Sequence, residues 1–182
     1  MKKLLKMKSI DKKFIEVTSA DSWEKLQNDF NNSSLIYVIG NGGNLAVADH
    51  AAIDISRLSS KSAAAPGSGI LASSIINEVG FDEWLKTWLE FTFKNKTEYE
   101  NAMVIGITTS SKSTNVFNAL NWAKSKGIKT GILAGQTSDE LPSDVNTVML
   151  DVDHYHTAEV LTLLLFYQLI EDSGACCPRI NK

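Results

Sequence analysis

The chain has 182 residues and a mass of 20.0 kDa, which suits one globular domain and is too little for two ordinary ones. With 18 Lys and Arg against 21 Asp and Glu, the formal net charge is −3, which argues against a nucleic-acid-binding surface because such surfaces need a basic excess. Hydrophobic residues at 43% exclude a disordered chain. We expect a single domain over 1–182, with a basic N-terminal segment over 1–19 and a C-terminal tail over 173–182.

Two adjacent cysteines, Cys176 and Cys177, leave no room for a disulfide framework. This cysteine usage favours a reducing, cytoplasmic setting. The richest apolar run, 160–170, falls short of the roughly 20 residues that span a bilayer. The lysine-rich start of the chain lacks the apolar core of a signal peptide. We therefore expect no membrane partner and no nucleic-acid partner.

Predicted strands and helices alternate along the chain. Continuous apolar runs such as Leu35–Ile39 and Met103–Ile107 are typical of strands buried on both faces. Small and polar residues over 59–69 predict a loop. Alternation of this kind predicts an α/β fold with a parallel, doubly wound sheet. The predicted strands are 35–39, 70–72, 103–107, one within 127–135, and 146–150, and the predicted helices are 21–30, 45–58, 81–91, 114–126 and 156–171.

A glycine-rich loop, Gly40–Asn44, directly follows the first predicted strand and precedes a helix. Glycines let the backbone approach a ligand, and a helix N-terminus favours an anion. The spacing matches neither the dinucleotide fingerprint nor the nucleoside-triphosphate loop. A simple tight turn is the alternative interpretation, since Asn-Gly is a common turn dipeptide.

A second loop, over 108–113, also lies between a predicted strand and a helix. It carries five hydroxyls and one ammonium: Thr108, Thr109, Ser110, Ser111, Lys112 and Ser113. Ordinary helix capping needs only one of these hydroxyls. The surplus of donors, beside unpaired backbone N–H groups, favours binding of an oxyanion such as a phosphate monoester.

His50 and Asp54 are four residues apart on a predicted helix and share one face. Such a pair can bind a metal or act as acid and base, and a solvated pair is the alternative. The other histidines are His154 and His156, at the start of the last predicted helix. If the two helices meet, His50, Asp54 and His156 form a partial zinc site.

Four segments in the proper order resemble the SIS (sugar isomerase) family, and within it the phosphoheptose isomerases, over nearly the whole chain. The segments are Gly40–Gly43 with His50 at the expected distance, 77–83, 107–116 and 123–130. The resemblance implies a three-layer, flavodoxin-like sheet of five parallel strands and a homotetramer with active sites shared between subunits. It also implies isomerisation of sedoheptulose 7-phosphate to glycero-manno-heptose 7-phosphate in heptose synthesis for surface polysaccharide.

The resemblance also assigns roles to residues. Asp54 falls on the catalytic base and zinc ligand, and His50 and His156 fall on further ligands of a possible zinc ion. The family's late histidine, its presumed acid, falls on Leu164 or, in a shifted register, on Phe166, and neither side chain transfers protons. The substrate- and phosphate-binding positions fall on Asn41, Gly42, Gly43, Asn44, Asn77, Glu78, Thr108, Thr109, Ser110 and Ser113.

Two functions follow from these assignments. An aldose–ketose isomerase needs a base near the carbon acid and an acid or metal near the oxygens, to pass through an enediol. The 77–83 segment favours this enzyme. The absence of the late histidine favours a non-catalytic module that binds a phosphosugar or docks a regulatory protein partner.

Overall fold

The computed structural model describes residues 10–180. The strands are β1 (Leu35–Ile39), β2 (Ser62–Ala64), β3 (Ala102–Thr108), β4 (Lys129–Ala134) and β5 (Asn146–Met149). The helices are α1 (Ile10–Thr18), α2 (Asp21–Asn31), α3 (Gly43–Leu58), α4 (Gly69–Val79), α5 (Trp84–Thr92), α6 (Thr114–Ser125) and α7 (Tyr155–Asp172), with a short 3₁₀ helix before β3 (Lys96–Asn101).

The five strands form one parallel sheet in the order β2-β1-β3-β4-β5. Strand β3 lies at the centre and is buried at every position, as its apolar sequence predicts. From β1 the chain goes to β2 on one side of it and then crosses over to β3 on the other side, so the strand order reverses between β1 and β3. Ile39 of β1 pairs with Gly106 of β3 at this point. Ligands of doubly wound sheets bind outside the carboxyl ends of the strands at such a point.

Helices cover both faces of the sheet, which confirms the predicted three-layer architecture. Helices α1, α2, α3 and α7 share one apolar core with Met103, Ile105 and Ile107 of β3. Helices α4, α5 and α6 share the other with Ala102 and Val104. Alternate residues of one strand therefore point to opposite cores, and both carboxyl-end loops lie at the rim between them.

The predicted strand at 70–72 is wrong, because these residues belong to α4. Leu71 N donates to the Ser68 side chain at the start of this helix, and Ile75 of the next turn is buried. The fifth strand is β2 instead, inside the predicted loop over 59–69. Its three small residues lack an apolar pattern, and backbone pairing with β1 makes them a strand.

Helix α1 was not predicted within the basic segment over 1–19. Ile10, Phe14 and Val17 recur at helical spacing and pack against the core that α7 also lines. The lysines at 2–8 lie outside the described residues. The tail over 173–180 contains neither helix nor strand. Within residues 10–180, no helix is long and apolar enough to cross a membrane.

Candidate functional site

The loops after β1 and β3 meet at the reversal point of the sheet and enclose a cavity of about 290 Å³. Its lining residues are Asn41, Gly42, Gly43, Asn44, Thr109, Ser110, Ser113, Tyr155 and Glu159. Seven of the predicted substrate-binding residues are thus brought together. We call this cavity the anion cradle.

Thr108 lies just behind the anion cradle and fixes the shape of its second loop. Its Oγ1 is 2.9 Å from Ser113 Oγ and accepts a hydrogen bond from Ser111 N at 3.1 Å. Ser111 has a φ of 55°, which turns the backbone back on itself, and its hydroxyl donates to the Gln136 carbonyl. Ser111 is therefore a buried structural residue, whereas Ser110 lines the cavity.

Side-chain amides tie the two loops of the anion cradle together. Asn41 Nδ2 donates to Asn115 Oδ1 at 2.8 Å, and Asn115 Nδ2 donates to Asn41 Oδ1 at 2.9 Å. Asn44 Nδ2 donates to Thr109 Oγ1 at 3.2 Å. Asn115 was not predicted as a site residue, although it lies inside the 107–116 segment. These contacts preorganise the backbone of both loops before any ligand arrives.

Two helix N-termini point at the anion cradle. Helices α3 and α6 begin after Gly42 and Ser113, and neither residue caps its helix through a side-chain hydrogen bond. Gly42 has a φ of 56°, a conformation that favours glycine. The first N–H groups of a helix and its dipole both favour a negative charge. The geometry thus suits a phosphate group.

One carboxylate, Glu159, also faces the anion cradle. A Cβ atom on Gly43 would lie 2.2 Å from Glu159 Oε1, so glycine at this position admits the carboxylate to the start of α3. His156 Nδ1 lies 3.5 Å from Glu159 Oε2. Neither Glu159 nor Tyr155 was predicted, because no local pattern distinguishes them from an exposed helix turn.

A second cluster lies farther along α3 and joins His50, Asp54, Arg57 and Tyr167. His50 Nε2 is 3.1 Å from Asp54 Oδ2, and Arg57 donates to Asp54 Oδ1 at 2.9 Å. Tyr167 Oη, from α7, is 3.1 Å from His50 Nε2. Because a carboxylate only accepts, Nε2 carries a proton in this arrangement. Asp54 is 7% exposed, so its charge is held by these donors rather than by water.

The cluster lines a larger cavity of about 870 Å³ between α1, α3 and α7. Apolar side chains, including Phe14, Leu58 and Leu164, form much of its wall. Burial, followed by the charges of Asp54 and Cys177, raises the pKa of Tyr167 above its ordinary value of 10.0. The Tyr167 hydroxyl therefore keeps its proton at neutral pH.

Helices α3 and α7 pack side by side and run in the same direction. Glu159 lies against Gly43, and Tyr167 lies against His50. His156 precedes Tyr167 by eleven residues, which is about 16 Å along α7 at 1.5 Å per residue. The two helices do meet, as the zinc hypothesis required, but His156 contacts Glu159, which lines the anion cradle, and not His50 or Asp54.

The donors around Asp54 do not fit a zinc ion. The Nε2 atom of His50 is engaged by Asp54 and Tyr167, and the guanidinium of Arg57 already faces the carboxylate that would bind the metal. A second positive charge there is opposed by Arg57. Among residues 10–180, no three His, Cys, Asp or Glu side chains lie close enough to hold a metal ion. The ligand set His50, Asp54 and His156 is therefore not assembled within the chain.

The remaining predicted site residues lie elsewhere. Asn77 and Glu78 are exposed on α4 and line neither cavity, so their role in substrate binding stays a prediction. Phe166 is fully buried in the core, whereas Leu164 lines the larger cavity one turn from Tyr167. Leu164, Tyr167, Gln168 and Glu171 share that face of α7.

Similarity to solved structures identifies the fold. Phosphoheptose isomerase GmhA from Neisseria gonorrhoeae superposes with a TM-score of 0.68 at 21% identity, covering 91% of this chain and 89% of that chain. A phosphoheptose isomerase from Francisella tularensis gives a TM-score of 0.70 at 17% identity, covering 91% and 92%. At these identities the likeness shows the fold, which is that of the SIS phosphosugar isomerases.

Sequence similarity then gives the family. No family model matches the chain. The phosphoheptose isomerase of Syntrophotalea carbinolica is 33% identical over 147 residues, which cover 75% of this chain and 72% of that protein. The chain belongs to the phosphoheptose isomerase family.

Proposed function

We propose that the protein is an aldose–ketose isomerase that converts sedoheptulose 7-phosphate to glycero-manno-heptose 7-phosphate. Its relatives carry the name phosphoheptose isomerase, which favours an enzyme over a binding module. The phosphate is held in the anion cradle by Ser110, Ser113 and the N-termini of α3 and α6. A helix N-terminus with hydroxyl groups beside it is the chemistry that a phosphate monoester requires.

A single helix carries this proposal, because α3 links phosphate binding to acid–base chemistry. Its first turn closes the anion cradle at Gly43 and Asn44. Its second and third turns carry His50 and Asp54. Along the helix axis, His50 lies about 9 Å from Asn44 and Asp54 lies about 15 Å from it. The Asp54 carboxylate reaches back toward His50, with Oδ2 3.1 Å from His50 Nε2. The separation between phosphorus and carbonyl carbon in an extended seven-carbon sugar phosphate is comparable to the shorter of these two distances, which brings the carbonyl end to this pair.

Asp54 is the proposed base. It takes a proton from C1 of the ketose and returns it to C2, and the intermediate between these steps is an enediol. Arg57 and His50 each occupy one of its oxygens, but a carboxylate has about four lone-pair sites and keeps acceptor capacity. Its low exposure limits competition from water.

The test is proton NMR of sedoheptulose 7-phosphate in heavy water with the purified protein. We expect an aldose anomeric signal and deuterium beside the carbonyl. Asp54→Asn abolishes both, because the base is lost. Ser110→Ala weakens sugar-phosphate binding, because a cradle donor is lost.

Matched controls exist on the chain. Asp21→Asn changes an exposed carboxylate on α2, and Ser125→Ala removes an exposed hydroxyl at the end of α6. Because both residues lie outside the site, we expect both variants to keep wild-type turnover. Turnover that survives Asp54→Asn contradicts the role of Asp54, and binding without any exchange in the wild type contradicts the isomerase proposal.

We also propose a cytoplasmic homotetramer that acts in heptose synthesis. Exposed apolar side chains on three helices, Ile53, Ile70 and Val160, support burial in an assembly. In a shared active site, the exposed side chains of Asn77 and Glu78 would contact the substrate that a neighbouring subunit binds. Light scattering measures the assembly state directly, and a monomer at micromolar concentration contradicts it.

A further inference from the structure

The acid–base cluster between α3 and α7 contains two groups that the family resemblance did not assign. Arg57 donates to Asp54 Oδ1 at 2.9 Å, and Tyr167 Oη is 3.1 Å from His50 Nε2. Together with the 3.1 Å contact between His50 and Asp54, they form a continuous chain from guanidinium to phenol.

We propose that Arg57, in place of a metal ion, supplies the fixed positive charge of this site, and that the Tyr167 hydroxyl is the group that hands a proton to the sugar oxygen. This inference rests on the proposed isomerase function. It assigns Tyr167 a catalytic role and Arg57 a positioning role that acts through Asp54.

The charge argument starts from Asp54. An almost fully buried carboxylate needs a partner charge or several hydrogen bonds. Arg57 provides the charge, and the half-exposed His50 provides a ring N–H. The carboxylate is therefore satisfied by this chain's own side chains, and its position on α3 is fixed by donors three and four residues away.

The proton argument starts from Leu164. Leu164 lines the larger cavity beside the acid–base cluster, and its side chain cannot transfer a proton. Tyr167 lies three residues later on the same face of α7 and lines the same cavity. Its hydroxyl is both donor and acceptor, which is what a group that protonates one oxygen and deprotonates the next requires.

The proposed steps balance without any further reagent. Asp54 removes a proton from C1 as the Tyr167 hydroxyl protonates the C2 carbonyl oxygen, which gives the enediol and a phenolate. The phenolate then takes the proton from the C1 hydroxyl as Asp54 returns its proton to C2, which gives the aldose. His50 Nε2–H, already 3.1 Å from Tyr167 Oη, stabilises the transient phenolate.

The first measurement is the metal content of the full chain after incubation with zinc and desalting. We expect well under one zinc per chain and, for the active protein, turnover that a chelator leaves unchanged. One tightly held zinc per chain whose removal abolishes turnover overturns the assignment to Arg57. The zinc stoichiometry is read without any activity, so it stands even if the proposed function fails.

The second measurement is the steady-state kinetics of conservative variants. Tyr167→Phe removes one oxygen from a half-buried ring, and we expect kcat to fall about a hundredfold or more with KM changed less than threefold. Arg57→Gln lowers kcat, and Arg57→Lys restores most of it because the charge returns. The control is Tyr99→Phe, whose ring packs against Phe93 and Trp122 away from both cavities.

Each outcome of these measurements tests a different part of the proposal. Tyr167→Phe with kcat within threefold of wild type refutes the catalytic role of the hydroxyl. Equal losses in Arg57→Lys and Arg57→Gln refute the charge role. A wild-type protein that turns over no sugar phosphate refutes the proposed function itself, and then the Tyr167 role falls with it.

Discussion

Replacing Glu159 by glutamine tests whether the anion cradle receives the phosphate. Glu159 lines the cavity together with Ser110 and Gly43, so its carboxylate faces any anion that enters. A dianion about 6 Å away meets a repulsion of about 1.4 kcal/mol at the dielectric constant of water, which corresponds to about tenfold in Kd. With a Debye length of about 8 Å at 0.15 M salt, the effect falls to about threefold.

The assay is isothermal titration of sedoheptulose 7-phosphate into wild type and Glu159→Gln at pH 8, where a phosphate monoester is a dianion. We expect the variant to bind about three- to tenfold more tightly, with the larger gain at low salt. Glu90→Gln, an exposed position on α5 across the sheet, is the matched control and leaves Kd unchanged. Unchanged or weaker binding by Glu159→Gln, at both salt concentrations, refutes the placement of the phosphate in this cavity.

Three further predictions concern stability. Asn41→Leu leaves the Nδ2 group of buried Asn115 without its acceptor, although Oδ1 still accepts from Val116 N, and we expect a loss of about 2 kcal/mol and a fall in Tm of about 4–8 °C, measured by calorimetry. Gly135→Ala would place a Cβ 2.3 Å from the Thr109 carbonyl oxygen, so the loop must shift at a cost of about 1–3 kcal/mol, together with weaker phosphate binding. Burial raises the pKa of Tyr37 above 10.0, so its stabilising contribution is complete below pH 10 and is lost as pH rises through the folded-state pKa. Urea unfolding at pH 8 and pH 11 then shows a smaller alkaline loss in Tyr37→Phe.

The controls for these variants lie on the same chain. Gly69→Ala, at the first residue of α4, introduces a Cβ with nothing within 4 Å, and we expect no loss of stability. A Gly135→Ala protein as stable as Gly69→Ala contradicts the steric argument. An unchanged Tm in Asn41→Leu contradicts the paired-amide argument, and an alkaline loss equal to wild type in Tyr37→Phe contradicts the ionisation argument.

The structural elements that could be predicted are those whose own residues show a clear sequence pattern. Strands β1 and β3 are continuous apolar runs, and the loops after them are rich in glycine or hydroxyls, so both the sheet class and most of the anion cradle follow from the sequence. Strand β2 was missed because Ser62, Ala63 and Ala64 pair through backbone groups alone. Ile70–Ala72 was misassigned because a short apolar run does not distinguish strand from helix.

The cluster around His50 and Asp54 shows a different limit of prediction from sequence. The spacing of His50 and Asp54 predicts a shared helix face, and their 3.1 Å contact agrees with it. Which residue of α7 meets them depends on how two helices are offset along their axes, and this offset is a property of packing rather than of spacing. The sequence suggested His156, and the structure places Tyr167 there.

The rigidity of α3 has a consequence for which sugars fit. One residue inserted into a helix turns everything beyond it by about 100°, so the distance between the anion cradle and His50 cannot be lengthened by a single residue without rotating Asp54 out of place. The separation between the anion cradle and Asp54 can therefore change only in steps of about one helical turn. For the proposed seven-carbon substrate, a change to a five-carbon one would have to come from the walls of the site, such as Tyr155 and Glu159, which can be replaced one side chain at a time.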